Sequence, residues 1–188
     1  MYQIGDVIVY GGEGVCRVDA IGVPDIPSIS KERLYYTLSP FYRDGIIFSP
    51  VDTTVFMRPV ITYEEVQHLI MQIPEIRTNM LCENHRSIRM LSDHYAALLQ
   101  THDCAALLQL IKTVYKKRQV VTENGKKLGT TDERYLKRAE EMLYSEFAVA
   151  LGIPKDDVKS YIEDTVKKLE SAGRKQALIS EESDQSWI

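Results

Sequence analysis

Long apolar runs, paired cysteines and enzyme signatures are all missing from this chain of 188 residues, and each absence narrows what it can be. No apolar run approaches the roughly 18 residues a transmembrane helix needs. The opening Met1-Tyr-Gln-Ile-Gly-Asp6 has neither a basic nor an apolar leader segment, so a secretory signal is not expected. Cysteine is scarce, with only Cys16, Cys82 and Cys104. Three scattered thiols fit a reducing compartment, and the expected location is the cytoplasm. Nucleophile elbow, P-loop, dinucleotide fingerprint and zinc-protease helix motifs are all absent, so the reading is not an enzyme and needs no cofactor or small-molecule substrate. Tryptophan occurs once, at Trp187.

What is present is an ordinary globular composition, 44% hydrophobic and 27% charged, which excludes global disorder. The net charge of −4 hides a local bias. Residues 86–138 carry 11 basic and 5 acidic side chains, whereas residues 139–188 carry 6 and 11. A cationic middle inside an acidic chain points to a localised anionic partner.

The first sixty residues read as strands. Val, Ile and Tyr dominate residues 3–10 and 15–21, and Gly11-Gly-Glu-Gly14 between them is a hairpin turn rather than a phosphate cradle, since no helix follows it. Residues 33–38, 46–48 and 53–57 are further short β-prone runs, bounded by prolines and Asp44-Gly45. Five short strands with frequent turn signals predict a small antiparallel barrel or curled sheet. Ile46-Ile-Phe48 beside Pro50 reads two ways: an exposed edge offered to a partner strand, or an edge guarded by proline against aggregation.

The period changes at Thr62. Thr62-Tyr-Glu-Glu65 is a capping box, and Val66, Leu69, Ile70 and Ile73 follow on one helical face until Pro74. Ile88, Leu91, Tyr95 and Leu98 mark a second helix. Asp103 caps a third, with Lys116-Lys-Arg118 expected in its last turn, where cations suit the helix dipole. Thr130-Thr-Asp-Glu133 reads as a second capping box, opening a fourth helix that ends near Gly152. Pro154 begins a fifth, and after Ser171 the apolar period is lost. The expected division is a β domain over residues 1–60, a helical bundle over 61–170 and a disordered tail over 171–188, an α+β chain.

Two clusters invite chemistry. Cys82, His85, His102 and Cys104 make up the ligand set of a zinc site, but one residue between His102 and Cys104 is tighter than zinc pairs usually allow. Cys104 fits equally as a buried free thiol behind the cap at Asp103. His68 and His94 read as surface residues. The second cluster is cationic: Arg86 and Arg89 at the front of helix two, Lys116, Lys117 and Arg118, then Lys126 and Lys127 in the glycine loop, then Arg134, Lys137 and Arg138. Helices that return on themselves bring the last three groups to one end, where several phosphates would be neutralised. On charge alone a solvated basic face explains them equally well.

Ile4-Gly-Asp-Val-Ile-Val-Tyr10, Ile46-Ile-Phe-Ser-Pro50 and Arg58-Pro-Val60 resemble the opening module of the CarD/CdnL family of bacterial transcription regulators. Leu110-Ile-Lys-Thr-Val-Tyr-Lys-Lys-Arg118, Gly125-Lys-Lys127, Thr131-Asp-Glu-Arg-Tyr-Leu136 and the run from Ala139 to Glu146 resemble the helical half of the same family. The front module alone is similar to the polymerase-interacting domain of the transcription-repair coupling factor. The resemblance implies a Tudor-like β domain that adds its sheet to the RNA polymerase β subunit through Ile46, Ile47, Phe48, Ser49 and Pro50. It implies a helical half that contacts promoter double-stranded DNA, modulating open-complex stability, with Arg86, Arg89, Lys117, Lys126, Lys127 and Arg134 as candidate contacts. The regulator would be nucleoid-associated through polymerase. One departure stands out: the family's minor-groove wedge tryptophan has no counterpart here. Met80 is the expected occupant and His85 the alternative. A methionine can wedge between base steps or simply pack in a core. Two rivals follow: a polymerase-binding adaptor that has lost DNA contact, and a small zinc module.

Overall fold

The computed structural model describes residues 1–27, 30–78 and 88–184, with side chains described as far as residue 172. Five antiparallel strands come first: β1 (Val7–Tyr10), β2 (Gly14–Gly22), β3 (Tyr35–Pro40), β4 (Ile47–Pro50) and β5 (Met57–Pro59). They form one open sheet in the order β4-β3-β2-β1-β5, the topology expected of a Tudor-like module. Alternation along the strands turns Ile8, Tyr10, Cys16, Val18, Tyr36 and Leu38 into one apolar cluster. Gly11 makes the β1–β2 turn possible, because its φ is +43° and an added Cβ would lie 2.8 Å from Val55 Cγ1. The fifth strand lies later than the β-prone run at 53–57. Thr53 instead starts a turn, its N–H donating to the Pro50 carbonyl and its hydroxyl accepting from the Val55 N–H.

Five helices follow: α1 (Tyr63–Gln72), α2 (Ile88–Gln100), α3 (Cys104–Glu123), α4 (Thr130–Leu151) and α5 (Val158–Asp184). The Thr62 capping box forms as the spacing predicts: the hydroxyl accepts from the Glu65 N–H at 3.2 Å and the Glu65 carboxylate accepts from the Thr62 N–H at 2.8 Å. Pro74 then ends the run. The ammonium of Lys112 on α3 donates to the carbonyls of Ile73, Pro74 and Ile76, the last two at 3.0 and 2.9 Å, so the chain leaving α1 is tied to α3. Asp103 caps α3 as expected, accepting from the Ala106 N–H.

Three expectations need correcting. Lys116, Lys117 and Arg118 are not in the last turn of α3, because no glycine or proline interrupts the helix before Gly125 and it continues to Glu123. The second capping box does not form: Gly129 is the N-cap and makes no side-chain bond, while Asp132 is drawn inward to other partners. Ile88 is 75% exposed; Leu91 and Tyr95 are the buried residues of α2, and Leu98 and Leu99 pack half-buried against the core. α5 continues past Ser171 to Asp184. Ala, Lys, Arg, Gln and Glu in that stretch favour helix without needing a buried face.

The helical half has its own core, centred on Val66, Ile70, Leu107, Leu136, Leu143 and Phe147. Gly152, with φ of +66°, stops α4 in the left-handed conformation glycine tolerates best.

Candidate docking edge and nucleic-acid interface

The two outer strands of the sheet have different surroundings. β5 pairs with β1 through Ile8 opposite Pro59, Val9 opposite Arg58 and Tyr10 opposite Met57. On its far side, Arg58 reaches into the helical half. Its Nε and Nη2 donate to the His102 carbonyl at 3.1 and 2.7 Å, and its Nη1 and Nη2 grip both oxygens of Glu146. Glu146 also accepts from the Ile61 N–H at 3.0 Å and from the Cys104 thiol at 3.3 Å, so this buried carboxylate is fully used. Burial works against the Arg58 charge, but the bonds to Glu146 outweigh it and hold the guanidinium above its ordinary value. Burial pushes the Cys104 thiol up, and the Glu146 charge pushes it further, so it is no thiolate.

β4 pairs only with β3, in the register Thr37 opposite Phe48 and Tyr36 opposite Ser49. Among the described strands nothing pairs with its other side. Ile46, just before it, is 61% exposed; Ile47, Phe48 and Pro50 are half-buried and Ser49 is fully buried. The five residues singled out for polymerase contact therefore form one continuous free edge, with Ser49 turned into the fold.

The candidate DNA contacts divide in two. Lys126 and Lys127 are exposed in the loop between α3 and α4, and Arg134 is exposed in the first turns of α4, its guanidinium 5.0 Å from the Tyr135 ring centroid. Arg89 is exposed at the front of α2. A hydroxyl bond between Ser92 and Tyr135 (2.9 Å) and one donated by Tyr95 to Asp132 (2.8 Å) pin α2 against the start of α4, so Arg89 and Arg134 sit on adjoining helices. Lys117 behaves otherwise. Its ammonium lies 2.9 and 2.8 Å from the two oxygens of Asp132, in a mostly buried pair, and its charge is spent inside the bundle. Arg138 is also committed elsewhere, donating to the Gly12 carbonyl of the β half at 2.8 Å. Met80 and Arg86 lie outside the described residues, as do Cys82, His85 and Trp187. No cluster of metal-ligating groups occurs among the described residues.

Residues 2–61 match the family model of the CarD-like/TRCF RID domain, an RNA polymerase interaction module. The front third of this chain is thus similar to that domain. No curated protein matches the chain. That domain family interacts with RNA polymerase and is in general non-enzymatic. No helix among the described residues is long and apolar enough to cross a membrane.

Residue spacing misses the Arg58 to Glu146 pair, since its members stand 88 positions apart. Both residues fall inside motifs quoted for the family resemblance, which was the only available signal.

Proposed function

We propose that this chain bridges the β subunit of bacterial RNA polymerase and promoter DNA and thereby modulates the stability of the open promoter complex. The observation that carries the reading is the unpaired β4 edge within a CarD-like domain. An extended strand of the β subunit would add to it, with main-chain hydrogen bonds giving affinity and Ile46 and Phe48 giving side-chain contact. In the helical half Arg89, Lys126, Lys127 and Arg134 contact backbone phosphates, with Arg86 and Met80 as further contacts in the preceding segment. Lys117 supports this surface from within rather than touching DNA.

Four or five phosphate contacts are weak alone. Tethering to polymerase raises their effective concentration, so a chain of net charge −4 can still work on DNA. The test is the lifetime of open complexes formed by bacterial polymerase with and without the full chain. Wild type is expected to change the lifetime, and the triple variant Arg89→Ala, Lys126→Ala, Arg134→Ala to lose that effect while still co-purifying with polymerase. One observation favours the adaptor reading: Lys117 and Arg138 are consumed internally, which thins the cationic end. Unchanged lifetimes with retained polymerase binding would select it.

A further inference from the structure

The two apolar clusters share no residue. Beside the packing of α4 on β2, directional contacts cross the seam: the Arg58 fork on Glu146 and the His102 carbonyl, the Ile61 N–H on Glu146, Arg138 on the Gly12 carbonyl, and Lys155 over the Tyr42 ring at 5.1 Å. One ring contact joins them, Phe56 edge-on to His102 at 4.6 Å. Apolar contact tolerates rotation, whereas a planar guanidinium held by a carboxylate on one side and a carbonyl on the other tolerates little. The carbonyl itself is aimed by an uncommon backbone. His102 is the only non-glycine residue among the described ones with positive φ, at +52°. A conformation of that kind persists only where its surroundings hold it.

Glu146 lies on the same helix as Arg134, 12 positions further along. At about 1.5 Å per residue Arg134 lies about 18 Å along α4 from Glu146, and about 6 Å from the second seam contact at Arg138. A tilt of about 10° about Glu146, with the Arg138 bond to Gly12 released, moves Arg134 by about 3 Å, close to the roughly 3.4 Å rise between phosphates on one strand.

We propose that Arg58 and Glu146 are positioning residues that set the angle between the β4 edge and the cationic end, and so decide whether both grips engage together. The proposal rests on the bridging reading above. It differs from a purely stabilising role because loosening the seam costs joint engagement while sparing each grip.

The experiment compares the full wild-type chain with Glu146→Gln and Arg58→Lys. Residual dipolar couplings on the free chains report the angle between the halves without polymerase. One orientation is expected to fit wild type, while the variants need separate orientations for the two halves, each keeping dispersed amide signals. Affinity for polymerase without promoter, and for duplex alone, should stay within about twofold, while the wild-type effect on open-complex lifetime falls by about threefold or more. A single wild-type-like orientation in both variants overturns the proposal, and so does a full lifetime effect despite loosened halves. A wild-type chain without any lifetime effect instead brings down the bridging reading, and the dipolar couplings still decide whether the pair fixes the angle. Should Glu146→Gln fail to fold, Arg58→Lys carries the test, because Arg58 is partly exposed at the seam.

Discussion

The two outer strands of the sheet start from the same difficulty and meet different ends. Each has a row of N–H and C=O groups facing away from its neighbour. β5 is three residues long, and its Arg58 and the Ile61 N–H just beyond are absorbed by Glu146 and the His102 carbonyl. β4 receives no such cover and carries exposed Ile46 at its entrance. The cations repeat the pattern. Lys117 and Arg138 are consumed within the molecule, while Lys126, Lys127 and Arg134 stay in solvent. In both cases the fold uses one member of a chemically similar set and leaves the other for a partner.

The largest expected effect comes from blocking the free edge. Phe48→Arg should abolish co-purification with the polymerase β subunit while leaving the helical half folded; retained capture would mean that the edge is misplaced. Next come the committed cations. Lys117→Ala strands the buried Asp132 carboxylate and should cost about 2–4 kcal/mol in denaturant unfolding, whereas Lys127→Ala should stay within about 0.5 kcal/mol. Equal costs would erase the contrast. Lys127→Ala should instead lower the slope of log affinity against log salt for duplex DNA by about 0.9.

The smallest effect concerns pH. Burial, then the Arg58 guanidinium, holds the His102 imidazole below the ordinary histidine range. The unfolded chain therefore takes up this proton first. Its contribution to stability is complete above about pH 6.5 and is lost as pH falls through the lower folded value. Melting temperatures at about pH 7.5 and about pH 5.5 should differ slightly less for His102→Gln than for wild type.

Much of the fold was readable because the chain punctuates itself. Glycines and prolines bound the strands, Thr62 and Asp103 cap two helices, and Gly152 ends a third. The β4 edge was readable as a strand beside Pro50, but strand order was not, since pairing depends on long-range register. The fate of the cations was hidden for a similar reason. Nothing in the spacing of Lys117 and Lys126 separates a buried partner from an exposed one until Asp132 is drawn inward by Tyr95 and Lys117 together. That same inward turn leaves Gly129, rather than Thr130, as the N-cap of α4.

The ammonium of Lys112 has three N–H groups and meets three carbonyls, at Ile73, Pro74 and Ile76. One lysine thus closes the frayed end that Pro74 leaves behind α1, and it anchors to α3 the root of the stretch that carries Met80 and Arg86. Acetylating or truncating that single amine would release residues 73–76 from α3 without touching any residue of α1.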